Sequence, residues 1–166
     1  MSRLLPIALA LVLAACGGSG DDYTVEGDES FGGFARDATV ARALELFGQP
    51  ARREGVGSRD RCTLVWPELG IRMETFEASG TERACGPPGK HVSTTLTGAR
   101  WQTSEGLKIG DPVTRVRELY PDAAQEGDAW VLATREFSGL DFPSLDVRVE
   151  SGRVVSFTLY GPKYGF

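Results

Sequence analysis

The sequence predicts an α+β fold of two tandem units, each a helix followed by three strands, joined into one antiparallel sheet with the helices on one face. Three observations carry that expectation. The offset that superposes Val40 on Val113 also aligns Arg42, Glu45, Leu46 and Phe47 with Arg115, Glu118, Leu119 and Tyr120, so the chain contains an internal repeat. Apolar and polar residues alternate through 145–150 and again through 153–160 around Ser151-Gly152, the pattern of a half-buried hairpin. A chain of 166 residues, 41% hydrophobic and 25% charged, can bury one or two small cores; this excludes a large multidomain enzyme and disorder throughout.

At the N-terminus, Arg3 precedes an apolar run over 4–13 and then Leu13-Ala14-Ala15-Cys16. The run is far shorter than the ~20 residues a spanning helix needs, so it is expected to be a cleaved signal and not an anchor. With small residues just before a cysteine, the segment resembles a bacterial lipoprotein signal, whose lipobox would be Leu13-Ala14-Ala15-Cys16. That resemblance implies that residues 1–15 are removed, that Cys16 carries diacylglycerol, and that the mature protein is held at a membrane of the cell envelope. An ordinary secretory signal with an incidental cysteine is the alternative. Gly17 follows the cysteine, not the aspartate that requests retention in the inner membrane where such sorting operates.

Residues 16–31 are expected to form a flexible acidic tether. Glycines and five carboxylates (Asp21, Asp22, Glu26, Asp28, Glu29) leave little to bury and repel one another. The carboxylates could suit calcium, but their spacing does not match an EF-hand loop, and no metal or cofactor is expected. Most of the net charge of −5 lies in this segment, so the body from Phe31 onward is near neutral and offers no basic footprint for nucleic acid.

The first unit is expected over 32–97. Asp37 would cap a helix with Val40, Ala43, Leu44 and Phe47 on one face, stopped by Gly48 and Pro50. Strands are expected at 61–66, 70–77 and 91–97, with a loop at 78–90. With Cys16 acylated, Cys62 and Cys85 remain as an even pair in an exported chain. A disulfide between them is expected, worth about 3 kcal/mol on the chain-entropy model. Redox or zinc chemistry is the rival, but the two are too far apart for a dithiol motif and too few for a closed zinc site.

The second unit is expected over 98–166. Asp111 and Pro112 open its helix, Val113, Val116 and Tyr120 share a face, and Pro121 ends it. Strands are expected at 129–135, 145–150 and 153–160.

The Phe47-Gly48-Gln49-Pro50 exit of the first helix, the Gly110 and Val116 of the second, and the strand meander after each resemble the SmpA/OmlA-type small barrel-assembly lipoproteins. The tandem is similar in architecture to the beta-lactamase inhibitory protein. Both likenesses imply a non-enzymatic envelope protein that works by protein contact, and neither supplies a binding residue matched position for position.

Candidate chemistry is sparse. His91, the single histidine, is a possible general base, but it follows Gly89-Lys90 at the mouth of a strand, where an edge or surface imidazole is expected. No nucleophile elbow, phosphate loop or metalloprotease motif is present. Asp141 with Asp146, or Glu74 with Glu77, could pair as in glycoside hydrolysis, but scattered surface acids are the expected reading. Gly86-Pro87-Pro88-Gly89 could be a polyproline ligand and is expected to be a rigid turn beside the disulfide. Aromatics remain: Trp66 and Trp130 should be core, whereas Trp101, Tyr164 and Phe166 are candidates for a partner-binding patch, with packing between the units as the alternative for Trp101. The function these features suggest is non-catalytic: a lipid-anchored interaction or assembly module that binds an envelope protein. A binder of a small ligand or cell-wall fragment in a pocket between the units is the alternative.

Overall fold

The structure, a computed structural model, describes residues 22–55 and 60–162. The signal segment 1–15, Cys16, and Tyr164 and Phe166 therefore lie outside the described residues. In chain order, the elements up to the end of the first unit are β1 (Thr24–Glu26), β2 (Ser30–Phe31), β3 (Phe34–Ala35), α1 (Val40–Phe47), β4 (Arg52–Gly55), β5 (Arg61–Trp66), β6 (Ile71–Phe76), α2 (Thr81–Ala84) and β7 (Lys90–Leu96). There follow β8 (Gln102–Thr103), α3 (Val113–Leu119), β9 (Ala124–Glu126), β10 (Ala129–Phe137), β11 (Leu140–Glu150) and β12 (Arg153–Tyr160).

The two units join edge to edge. Their strands make one eight-stranded sheet in the order β4-β5-β6-β7-β12-β11-β10-β9, a mirrored arrangement about the β7–β12 seam, and every neighbouring pair is antiparallel. Register carries side chains across it in rows. Trp66 pairs with Ile71, Ile71 with Leu96, Leu96 with Phe157, Phe157 with Val147 and Val147 with Trp130, so a tryptophan closes each end of one buried apolar row. Because side chains alternate faces with period two, this row and its neighbour through Leu64, Met73, Thr94, Leu159 and Leu145 fix the core face of the sheet. Val40 and Ala43 of α1 and Val116 of α3 belong to the same apolar cluster.

Within the eight-stranded sheet each unit contributes one strand more than expected, the short edge strands β4 and β9. All of their residues are exposed, and Arg52-Arg53-Glu54-Gly55 and Ala124-Gln125-Glu126 show no apolar alternation, so a hydrophobic pattern cannot reveal them. Charged, short edges also resist pairing with other chains.

The expected tether is corrected from Asp22 onward. Strands β1, β2, β3 and β8 form a second, small sheet in which β1 runs parallel to β8, tying this segment to the junction between the units. Val25 and Phe31 are fully buried, and three apolar anchors (Tyr23, Val25, Phe31) suffice to order a stretch that composition alone reads as soluble chain.

The helix caps also differ from expectation. Thr39 precedes α1 without a side-chain cap, and Asp37 does not cap it. Instead the Val40 amide donates to the carbonyl of Gly89 (2.8 Å) and the Ala41 amide to that of Pro87 (3.2 Å). In the second unit Asp111 accepts from the Lys108 amide, while Val113 donates to the carbonyl of Gly152 (2.9 Å). Val40 and Val113 are repeat equivalents, and Gly89 and Gly152 each stand just before the last strand of their unit. The same device therefore closes both units: the helix start is satisfied by the glycine carbonyl that leads into that strand. Glycine is required at 89, where a Cβ would lie 2.2 Å from the Ala84 carbonyl oxygen and 2.9 Å from Val40. The disulfide Cys62–Cys85 is present and pins the loop that carries Pro87 and Gly89 to β5. Gly86-Pro87-Pro88-Gly89 is thus a capping turn beside the disulfide. A disulfide fits an oxidising, extracytoplasmic compartment.

Candidate functional site

The sequence-predicted partner residue that the structure describes does not form a surface. Trp101 is 1% exposed; its Nε1 donates to the Leu69 carbonyl (2.7 Å), and its ring meets Tyr23 and Phe31 edge-on. It packs the junction, because the apolar strap of β1 and β2 folds over it, and so leaves no anchor for a partner.

His91 is corrected as well. It is fully buried among Phe31 and Phe34, and not at a surface or edge. Its Nδ1 lies 2.6 Å from the Arg36 carbonyl oxygen, which can only accept, so Nδ1 carries the proton and Nε2 accepts from the Thr94 hydroxyl (2.9 Å). Burial pushes its pKa down to about 4, with the nearby Arg36 charge adding to that effect against the opposing hydrogen bonds. Both ring nitrogens are occupied, and the residue braces the turn from β3 into α1 against β7.

What the structure brings together is a cleft of about 690 Å³ at the end of the sheet, where β12 stops beside the junction of the units. Rings from both units line it: Phe76 from β6, Phe137 and Phe142 from the β10–β11 hairpin, and Tyr160 from β12. The hairpin overhangs the sheet. Its ladder with β12 starts only at Leu145↔Leu159, whereas its own pairing continues to Phe137↔Leu140 at the tip. Ser138 (φ 54°) and Gly139 (φ 78°) make the turn, the same Ser-Gly device as Ser151 (φ 50°) and Gly152 (φ 74°) between β11 and β12. Phe137 and Leu140 are the large apolar side chains most exposed among the described residues, at 46% and 63%.

Three arginines (Arg36, Arg61, Arg135) and two acids (Asp60, Glu136) line the cleft, with different commitments. Arg135 is held by both Asp28 and Glu29, which tie the N-terminal segment to β10. Burial raises the Asp28 carboxyl, but the hydrogen bond and charge of Arg135 outweigh it and hold it below the usual carboxylate range. Arg61 reaches Glu74 only at 3.8 Å. The Arg36 guanidinium has no carboxylate or hydrogen-bond partner among the described residues, and the Asp60 Oδ1 is buried without a donor among them. Tyr160 donates to Asp146 (2.7 Å); burial holds Asp146 above its ordinary range, aided by the nearby Glu126 and opposed by the hydrogen bonds from Tyr160 and Thr158. Behind the cleft Gly161 lies against His91, where a Cβ would come within 2.4 Å of the histidine carbonyl oxygen.

The described cleft lining does not include Trp101, and its residues were not among the partner-binding candidates, although Tyr160 begins the aromatic tail that holds Tyr164 and Phe166. The available signal was the further Ser-Gly turn at 138–139 flanked by Phe137 and Leu140, obscured because Pro143 interrupts the strand pattern and the apolar parity shifts between Phe142 and Leu145. Among the described residues no cluster of three or more histidine, cysteine or carboxylate side chains could hold a metal, and no helix is long and apolar enough to cross a membrane.

No family model matches the sequence, so the resemblance to the small barrel-assembly lipoproteins finds no support there, and no curated protein matches it significantly. Two solved structures are similar. One is an extracellular protein containing an SCP domain from Bacillus anthracis str. Ames, 11% identical with a TM-score of 0.47 over 75% of this chain and 43% of that one. The other, from Streptococcus mutans, is assigned as a beta-lactamase inhibitor protein, 13% identical with a TM-score of 0.29 over 81% of this chain and 88% of that one. This chain therefore spans less than half the length of the first.

Proposed function

We propose that the protein is a non-catalytic binding module of the cell envelope, anchored through lipid on Cys16, that engages another envelope protein through the cleft at the junction of its two units. The observation that carries this is the overhanging β10–β11 hairpin, which sets the exposed Phe137 and Leu140 beside a cleft walled by rings from both units. Exposed aromatic and aliphatic side chains around a concave site are what a partner buries. Binding is favoured over chemistry because the sole histidine is sealed behind Gly161 with both nitrogens engaged. The partner site thus moves from Trp101 to the hairpin. A small ligand or cell-wall fragment is a second reading, favoured by the cleft volume, which falls in the range of small-molecule sites.

Affinity capture tests it, with the oxidised full chain as bait against detergent-solubilised envelope of the native host. A protein retained by the wild type and lost with Phe137→Ser/Leu140→Ser is expected. Equal retention by that variant would remove the cleft from the interaction.

A further inference from the structure

Resting on lipid at Cys16 and on the cleft as the binding site, we infer that the protein stands on its membrane with the cleft turned away from it, so that the partner surface it meets belongs to a domain outside that bilayer. A short leash carries the first half of this inference. The body takes hold of the chain at Tyr23, whose carbonyl accepts from the Gln102 amide (3.0 Å), whose ring meets Trp101 edge-on, and over which Arg100 lies at 4.1 Å. Just before it, the Asp22 carboxylate accepts from the Thr24 amide (2.9 Å). Seven residue steps separate Tyr23 from Cys16, and covalent geometry limits them to about 25 Å whatever course they take. The tethered end of the body therefore stays beside the headgroups.

The fold carries the second half. Tyr23 and Trp101 sit at one end of the sheet, where Trp101 is bonded to Gly98 and Leu69, and Thr97 to Gly70, in the segments that follow β7 and precede β6. The cleft sits at the other end, where Phe76 closes β6, Val92 stands near the start of β7 and Tyr160 closes β12. The row Leu96–Phe157–Val147 marks the tethered end, and Leu140 lies seven positions away along β11, about 24 Å at the strand rise. The strap runs the same way: after β1, Asp28 and Glu29 hold Arg135, which braces the overhang on the anchored segment. Charge does not lay the sheet down on an anionic surface, because the body is near neutral and the cleft arginines stand among Asp60, Glu136, Glu74, Asp28 and Glu29. A segment within the same bilayer thus faces the wrong end of the molecule, whereas a domain standing off the membrane meets Phe137 and Leu140 first.

Energy transfer to the membrane tests the inference. The oxidised protein, processed in the native host, is reconstituted into phosphatidylethanolamine–phosphatidylglycerol vesicles that carry an acceptor dye on the headgroups. A donor is attached through an azide-bearing phenylalanine placed either at Ala99, exposed beside Trp101, or at Leu140. Transfer should be at least twofold more efficient from position 99 than from position 140. Insertion of twenty Gly and Ser residues after Gly20 should lower transfer at both positions and erase the difference. Equal transfer from the two positions, stronger transfer from position 140, or a difference that survives the longer leash overturns the inference. Flotation and intact mass keep its failure apart from that of the anchor. A wild type that carries the acyl mass and floats with the vesicles, while Cys16→Ser does not, leaves anchoring in place whatever the transfer shows. A wild type that lacks the acyl mass and stays unbound removes both.

Discussion

His91 illustrates how far a residue's neighbourhood overrides its chemical reputation. Held neutral with a folded pKa of about 4 against 6.5, it binds fewer protons in the native state than in the unfolded state between those values. Its contribution is therefore complete above pH 6.5 and lost as the pH falls toward 4, a loss of about 3 kcal/mol. The Asp28 carboxyl, held below its usual range by Arg135, acts in the same direction but only under pH 4. Urea unfolding midpoints should thus fall steeply between pH 7 and 4.5, and a flat profile there would contradict the buried neutral imidazole. Trp101 belongs at this scale too. Trp101→Ala should cost about 3–5 kcal/mol, since it empties a fully buried site and strands the Leu69 carbonyl, yet leave ligand affinity per folded molecule unchanged. Chemical denaturation combined with a binding isotherm separates the two effects.

Among the elements, α1 depends on a loop distant in sequence. Its first two amides are bound by Gly89 and Pro87, and that loop is pinned by Cys62–Cys85. Cys62→Ser/Cys85→Ser should lower stability by about 2–4 kcal/mol and raise amide exchange at Val40 and Ala41 before it does so at Val113, whose cap is the tight Ser151-Gly152 turn. Gly89→Ala should mimic the exchange change with the disulfide intact, because the added carbon meets the Ala84 carbonyl. By contrast the surface pairs Arg42–Glu45 and Arg115–Glu118, equivalent in the repeat, lie at 3.0 and 2.9 Å but are well exposed. Breaking either should shift stability by under about 0.5 kcal/mol in the same denaturation assay.

For the molecule as a whole, the repeat, both long helices, the six central strands and the disulfide were legible in the sequence because each rests on a local pattern: periodicity, turn chemistry or cysteine parity. The parts that were not legible depend on contacts between distant residues. β4 and β9 are held by main-chain pairing that charged side chains do not advertise. The 22–31 segment is ordered by burying Val25 and Phe31 and by the pull of Arg135 on Asp28 and Glu29, a pairing across more than half the chain. The cleft exists only where β11 outruns β12, a difference in strand length that emerges after the two units are joined. Trp101 looked available for the same reason: nothing local shows that β1 returns to cover it.

The most direct measurement is site-specific photocrosslinking in the native host, with a photoreactive phenylalanine analogue placed in turn at Phe137, at Leu140 and, on the helix face, at Glu45. Adducts to one protein from positions 137 and 140, absent from position 45, are predicted. Adducts from position 45 alone, or equally from all three positions, would contradict a binding site at the junction cleft.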